Sequence, residues 1–294
     1  MSTQPETLAG EGGCAYARPM FFEGTFSIDA SGDGIRLDRV LETAMPGSGL
    51  RLRRRLCDEG RVLVDGRARK PGYKVRAGQS VEIGGDREMK TAGELGLRIV
   101  KCENGFAAVN KPGGVHSASI AGKDEPSAEG VLSELFPKDT PELLNRLDYL
   151  TSGLLLVALT PEAREAYLRY EADGAIKKFY LARVKGRLDG IISVRSRLDT
   201  DDRKITRVLA EPDPDSRRWT GVTALSHDHE ADTSLVRCLI MKGARHQIRA
   251  HLSSIGHAIL GDPLYGEGES SSGLMLQHQR IEMPGFQAEA IPLF

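Results

Sequence analysis

The sequence predicts an α+β protein in two parts: a small helix-helix-sheet module, then a larger domain built on a mixed, largely antiparallel sheet. Three observations carry this expectation. Strand-like segments follow one another through the C-terminal two thirds with few helical stretches between them. The apolar run Leu154 to Ala158 has the length and continuity of a strand covered on both faces. Two short amphipathic helices precede a hairpin near the N-terminus.

Residues 1 to 33 are rich in Gly, Ser and Thr without periodicity, which predicts a mobile leader carrying at most one strand, around Phe21 to Ile28. Order begins at Ile35. Leu37, Val40, Leu41 and Ala44 recur at helical spacing, and after Pro46-Gly-Ser-Gly49 a second helix turns Leu52 and Leu56 inward and Arg51, Arg53, Arg54 and Arg55 largely outward. Gly60 stops it. Arg61 to Val64, an Asp65-Gly66 turn and a strand around Ala68 form a hairpin, with Val75, Val81 and Ile83 in further short strands. The module is thus expected over 34–84, with a Gly- and charge-rich linker at 85–96 and the larger domain at 97–294.

In that domain, Ile99 to Lys101 and Phe106 to Asn110 read as strands, Lys111-Pro-Gly-Gly114 as a turn, and Asp124 to Gly130 as a polar loop before a helix containing Val131, Leu132, Leu135 and Phe136. Pro161 opens a helix, with acids near its positive end. Phe179 to Val184, Ile191 to Val194, Lys204 to Ala210, Thr220 to Leu225 and Ser234 to Met241 have strand character, and Gly266 to Gly273 reads as a flexible loop.

Two segments concentrate chemistry. In Leu144 to Thr160, Asp148 stands beside Arg146 and the small-residue turn Thr151-Ser-Gly153, immediately before the apolar strand, at the mouth of the core. An Asp there either caps the turn or is a single carboxylate presented for reaction. In Gly243 to Gly266, a helix from about Arg245 to Ser254 would place Arg245 and Arg249 on one face and turn Ile248, Leu252 and Ile255 inward. A guanidinium from that face would orient Asp148 and favour its charged form; the alternative is a solvated arginine-rich face.

These residues carry a family resemblance. Asn145-Arg-Leu-Asp148, Thr151-Ser-Gly-Leu-Leu-Leu156, His246-Gln-Ile-Arg249, His251-Leu252 and Gly256 to Gly266 resemble the ribosomal large-subunit (Rlu) type of pseudouridine synthase, as do Lys111 to His116 and the lysine-x-tyrosine strand Lys178-Phe-Tyr180. The resemblance implies a pseudouridine synthase fold with a central cleft and an isomerase that converts uridine to pseudouridine in structured RNA without a cofactor or metal. It also implies Asp148, Tyr180 and Arg249 as catalytic residues, Arg146 filling the place of an extruded base, Arg245 contacting phosphate, and Leu154 and Ile248 lining the pocket. The chain departs from the pattern at Asn145, Leu159, Ala244, Arg245 and Gln277, positions that bear on how the nucleotide is gripped. Arg36 through Ile83 resembles a small RNA-binding module (αL motif) first associated with a ribosomal small-subunit protein, which assigns Arg51, Arg53, Arg54 and Arg55 to RNA phosphates.

Composition fits these expectations. The 294 residues carry a formal net charge of −1, but between Arg51 and Arg76 ten Lys or Arg face three acids. Four cysteines, at 14, 57, 102 and 238, show no paired spacing, as expected of a cytoplasmic protein. No apolar run approaches a membrane span, and the expected partner is RNA, ribosomal or else transfer RNA, bound by a monomer. A metal-dependent nuclease or phosphotransferase using His246, His251, His257 and Asp262 is disfavoured because five- and six-residue spacings scatter side chains around a helix and no second carboxylate joins them. A catalytically silent RNA-binding or ribosome-assembly protein is the alternative that Asn145, Ala244 and Gln277 raise.

Overall fold

The computed structural model describes residues 24–46, 48–58, 60–84, 90–119, 125–201, 204–266 and 273–294. The chain divides into two compact units, Met1–Glu88 and Met89–Phe294.

The first unit contains β1 (Gly24–Ser27), α1 (Leu37–Ala44), α2 (Leu50–Asp58), β2 (Val62–Val64), β3 (Arg67–Ala68) and β4 (Ser80–Ile83). Its antiparallel sheet runs β1-β4-β2-β3. Leu37 and Leu41 of α1, Leu56 of α2 and Val62, Val64 and Val81 of the sheet make its core. The β2–β3 turn has Asp65 at φ 51° and Gly66 at φ 72°, the pair of positive values that a type I′ hairpin requires.

Three expectations change in this unit. The strand near Phe21 to Ile28 is β1, and Ile28 is buried in the core, so residues 24–33 belong to the module and not to a leader; residues 1–23 lie outside the described residues. Val75 is buried outside any strand, next to an isolated bridge between Arg36 and Lys74. Arg53 points inward and is 3% exposed, because position 53 shares a helical face with Leu56 and Cys57, three and four residues on. Its guanidinium donates to the Ser48 carbonyl at 2.9 Å and pairs with Glu42 at 3.0 Å. Arg51, Arg54 and Arg55 are exposed, and Arg54 pairs with Asp38 at 2.9 Å.

The second unit contains β5 (Arg98–Glu103), β6 (Phe106–Lys111), α3 (Leu132–Leu135), β7 (Glu142–Leu143), β8 (Ser152–Ala158), α4 (Pro161–Ala172), β9 (Lys177–Lys185), β10 (Ile191–Val194), β11 (Ser196–Asp199), β12 (Arg207–Pro212), β13 (Thr220–Asp228), β14 (Thr233–Ile240), α5 (Gln247–Ser254), β15 (Leu276–Met283) and β16 (Phe286–Glu289). Ten of the strands form one mixed sheet whose main path runs β10-β13-β14-β9-β15-β8-β6-β5, with β16 on β15 and β7 on β8. Within it β15 and β8 pair in parallel and the other pairs are antiparallel.

All seven residues of β8 are buried. Leu155 and Val157 enter a larger hydrophobic cluster with Tyr180, Ile248 and Leu252, while Leu154 and Leu156 enter a smaller one with Ala163, Tyr167 and Ile281. This alternation is the period-two consequence of a strand covered on both faces, and each fully buried leucine contributes about 2 kcal/mol. Thr160 caps α4, its Oγ1 accepting from the Ala163 amide at 3.3 Å, with Pro161 in the first turn.

The central strand β15, together with β7, β11 and β16, was not expected from the sequence: its alternation of Gln, His and Arg with Leu and Ile gives no apolar run. The linker expectation fails for residues 90–96, where Ala92 and Leu95 are buried in the larger cluster; residues 85–89 lie outside the described residues. The loops expected at 124–130 and 266–273 fall partly or largely outside them too.

Candidate active site

Asp148 lies on the loop that enters β8, and its neighbours pin that loop. Asn145 accepts from the Leu156 amide at 2.6 Å and donates to the Leu154 carbonyl at 3.4 Å, fastening the loop to the strand it precedes. The Ser117 hydroxyl accepts from the Leu147 amide at 2.9 Å and donates to the Leu147 carbonyl at 2.8 Å. The Thr151 amide donates to the Asp148 backbone carbonyl at 3.1 Å, so main chain closes the turn and the Asp148 side chain, 24% exposed, is left for another partner.

That partner is Arg249 of α5, whose Nη1 donates to Asp148 Oδ2 at 3.2 Å. Its Nε and Nη2 make a bidentate pair with Asp262, both at 2.8 Å. Asp262 was not singled out as an arginine partner by the sequence reading, yet it is fully buried and also accepts from the Leu264 and Tyr265 amides. Burial works against its charge, but the Arg249 hydrogen bonds and these amides outweigh it and hold the carboxyl below its ordinary range.

The expected helix from Arg245 begins two residues later. His246 sits in the left-handed region at φ 53°, and the Gln247 side chain closes the turn by accepting from the Ala244 amide at 2.9 Å and donating to the Arg218 carbonyl at 2.7 Å. Arg245 is therefore not on Arg249's helical face, and its Nη2 donates to the Thr200 carbonyl at 2.8 Å. His246 Nδ1 lies 3.0 Å from the Tyr265 hydroxyl and its Nε2 3.9 Å from Asp148; burial lowers its pKa. His251 is buried beside Thr220 and Ser196, and His257 meets the Lys185 carbonyl, so the histidines weighed as metal ligands occupy separate surroundings.

Tyr180 projects from β9 and its ring stacks on His278 of β15, centroids 4.6 Å apart. Burial first, and then the Asp148 charge, push its phenol up, so the hydroxyl keeps its proton. His278 Nδ1 lies 2.6 Å from the Leu154 carbonyl, which can only accept, so that nitrogen carries the proton. Where β8 and β15 run in parallel, Gly153 faces His278, and a Cβ at Gly153 would lie 2.2 Å from the His278 carbonyl oxygen. Only glycine admits this approach. Ile248 packs in the cluster that holds Tyr180, whereas Leu154, 1% exposed, turns its side chain into the smaller cluster. Arg146 is exposed on the loop two residues before Asp148.

Lys111 is fully buried, and its Nζ donates to the carbonyls of Pro112 at 2.9 Å, Val115 at 2.8 Å and Tyr149 at 3.4 Å. Burial pulls its pKa down to about 8, against the pull of the Asp148 charge. The turn after β6 is thereby tied to the loop that carries the acid. Gln277, a departure from the family pattern, is buried and donates to the Ile291 carbonyl at 2.8 Å, fixing the C-terminal segment.

The loop before β8, β9 and α5 thus contribute a partly exposed carboxylate, a phenol that keeps its proton, and a guanidinium shared between Asp148 and buried Asp262. The RNA pseudouridylate synthase family model matches residues 105–254, and the S4 domain model matches residues 35–81. The chain belongs to the RNA pseudouridylate synthase family and is an isomerase acting on RNA, with an S4 module ahead of its catalytic domain.

An uncharacterized RNA pseudouridine synthase of Chloroflexus aurantiacus is 30% identical over 255 residues, 82% of this chain and 78% of the relative. Ribosomal large subunit pseudouridine synthase D of Zymomonas mobilis is 29% identical over 277 residues, 88% of this chain and 84% of the relative. Ribosomal large subunit pseudouridine synthase C of Escherichia coli is 29% identical over 260 residues, 83% and 80%. Among solved structures, human RNA pseudouridylate synthase domain containing 1 superposes with a TM-score of 0.54 at 25% identity, covering 67% of this chain and 83% of that one. No helix among the described residues is long and apolar enough to cross a membrane.

Proposed function

We propose that Asp148 is the catalytic carboxylate of a synthase whose substrate is large-subunit ribosomal RNA. The observation that carries the reading is the clamp: Arg249 holds Asp148 at 3.2 Å at the mouth of the core, where the Asp148 charge also acts on the buried Tyr180 phenol. The reaction breaks the bond from the anomeric carbon to the base nitrogen, turns the uracil and rejoins it through a ring carbon. The carbon's proton is released and the nitrogen gains one, so no redox partner is consumed. Attack on the sugar, addition to the ring and removal of a sugar proton all begin from an ionised carboxylate at this place. Tyr180 gives the extruded uracil a ring to pack against, Arg249 is the counter-charge, and Arg146, exposed on the same loop, fills the gap left in the stack.

The names of the relatives from Zymomonas mobilis and Escherichia coli support ribosomal RNA as the substrate. The exposed Arg51, Arg54 and Arg55 support capture of its backbone by the first unit, with the chemistry in the second unit, Met89–Phe294. The protein acts as a monomer in the cytoplasm, in keeping with the free thiols of Cys57, Cys102 and Cys238. The test is incubation of the purified chain with unmodified ribosomal RNA transcript, without metal, followed by nucleoside analysis. Wild type forms pseudouridine, and Asp148→Asn, which keeps shape and loses basicity, folds and binds RNA but forms none. Substantial turnover by pure Asp148→Asn would assign the chemistry elsewhere, and a wild type that binds without turnover would favour the silent RNA-binding protein.

A further inference from the structure

Tyr149 directly follows the carboxylate and is an exposed aromatic, 48% of its surface open. It occupies the first corner of the turn that the Thr151 amide closes on Asp148. Its main chain is immobilised: the Tyr149 carbonyl accepts from the Gly114 amide at 2.8 Å and from Lys111 Nζ at 3.4 Å. Its ring packs on that of His116, centroids 4.5 Å apart and planes tilted by 37°. His116 is fixed in turn, with its Nε2 2.6 Å from Glu125 and its carbonyl accepting from the Ala128 amide at 2.8 Å. The two rings border a depression of about 400 Å³ whose floor includes Pro112, Gly113, Gly114 and Val115. Of its carboxylates, Glu125 is engaged by His116, and Glu94 accepts from the Thr91 amide and hydroxyl. What remains for a ligand is apolar surface, peptide planes, two preorganised rings and, at the edge, the exposed ammonium of Lys90, a charge suited to the backbone phosphate of a stacked nucleotide.

Large, rigid aromatics held half in solvent beside a reacting group favour a flat partner, at small entropic cost. We propose that Tyr149 and His116 form a stacking subsite for a second unpaired base of the RNA strand, adjacent to the uridine presented to Asp148. The occupant is a nucleobase of any identity, because every base has a π face and the subsite displays no set of donors and acceptors that reads one base edge. The inference rests on Asp148 as the acid of the site, since that assignment places the target base next to Tyr149. Its purpose is to hold the strand splayed while the target base is out of its stack.

The experiment compares full-length wild type with Tyr149→Ala, Tyr149→Phe and Tyr149→Leu, using two probes. With unmodified large-subunit ribosomal RNA transcript, Tyr149→Ala raises KM roughly 5- to 150-fold, the range of one lost base stack, and leaves kcat within about threefold. Tyr149→Phe stays near wild type, while Tyr149→Leu, which keeps bulk without a π face, resembles the alanine variant. Short oligouridine, followed by fluorescence anisotropy, gives the same order of affinities with no turnover required. Equal KM and equal oligouridine affinity across the four proteins, or leucine as good as tyrosine, overturns the subsite. If wild type binds but forms no pseudouridine, the reading of Asp148 falls, while the oligouridine order still decides the stacking role.

Discussion

Arg249 divides one guanidinium between two carboxylates: two nitrogens bind Asp262 at 2.8 Å and the third reaches Asp148 at 3.2 Å. The shorter, bidentate pair lies with the fully buried acid, and the longer single contact with the one that is 24% exposed. Asp262 therefore aims the arginine, and Asp148 receives a charge already held in place.

Removing either end of the buried pair is expected to be costly, since it strands the other charge out of water. Asp262→Asn lowers the unfolding free energy by about 3 kcal/mol in urea titration, and Arg249→Met by a similar amount. Turnover by Arg249→Met falls by orders of magnitude. A change below about threefold, on the order of 0.7 kcal/mol, would show that the contact with Asp148 does nothing for the reaction.

Gly153→Ala tests the close approach of β8 to β15. A methyl group 2.2 Å from the His278 carbonyl oxygen cannot be accommodated by a side-chain shift, because the obstacle is backbone, and φ at this residue is +109°. The expected loss is about 3 kcal/mol, read as a lowered melting temperature together with loss of activity. A melting temperature equal to wild type would mean that the strands can part there.

His278 makes stability depend on acid. Burial pushes its pKa down to about 3, so the folded ring stays neutral while the unfolded ring takes a proton below roughly pH 6.5. The unfolded state binds more protons in that window, and stability drops as pH falls through it, by on the order of 2 kcal/mol between about pH 6.5 and 5. Denaturant titrations at these two pH values check this, with His278→Gln losing less than wild type; equal losses would remove His278 as the cause.

Deleting residues 1–88 should leave a catalytic unit that still modifies RNA at high concentration, with weaker binding. The cut falls before Lys90 because Ala92 and Leu95 belong to the larger core. With Arg53 buried, the exposed arginines of α2 are Arg51, Arg54 and Arg55. The slope of log affinity against log salt should become shallower by about two or three on duplex RNA. Equal slopes for the two proteins would return these arginines to a merely solvated face.

The sequence by itself determined the elements whose signal is local. The short apolar run through Val157 favours a strand covered on both faces, Asp65-Gly66 favours a hairpin turn, and Thr160-Pro161 favours a helix start, and each forms. The family resemblance drew attention to Asp148, Tyr180 and Arg249, which lie on the loop before β8, on β9 and on α5, with Arg249 in contact with Asp148. Tertiary structure decided what depends on partners distant in the chain. Gln277, His278 and Gln279 look like a polar surface segment, yet β15 is central because its main chain pairs on both sides and its polar side chains find the Ile291 and Leu154 carbonyls and the Glu289 carboxylate. Asp262 carries no mark of an arginine's anchor until α5 swings Arg249 onto it. Leu154 and Arg53 were assigned to the wrong surroundings because hydrophobicity and charge give a preferred environment but not which neighbours supply it. Burial of a charge is settled only where a partner waits, and that partner comes from the fold.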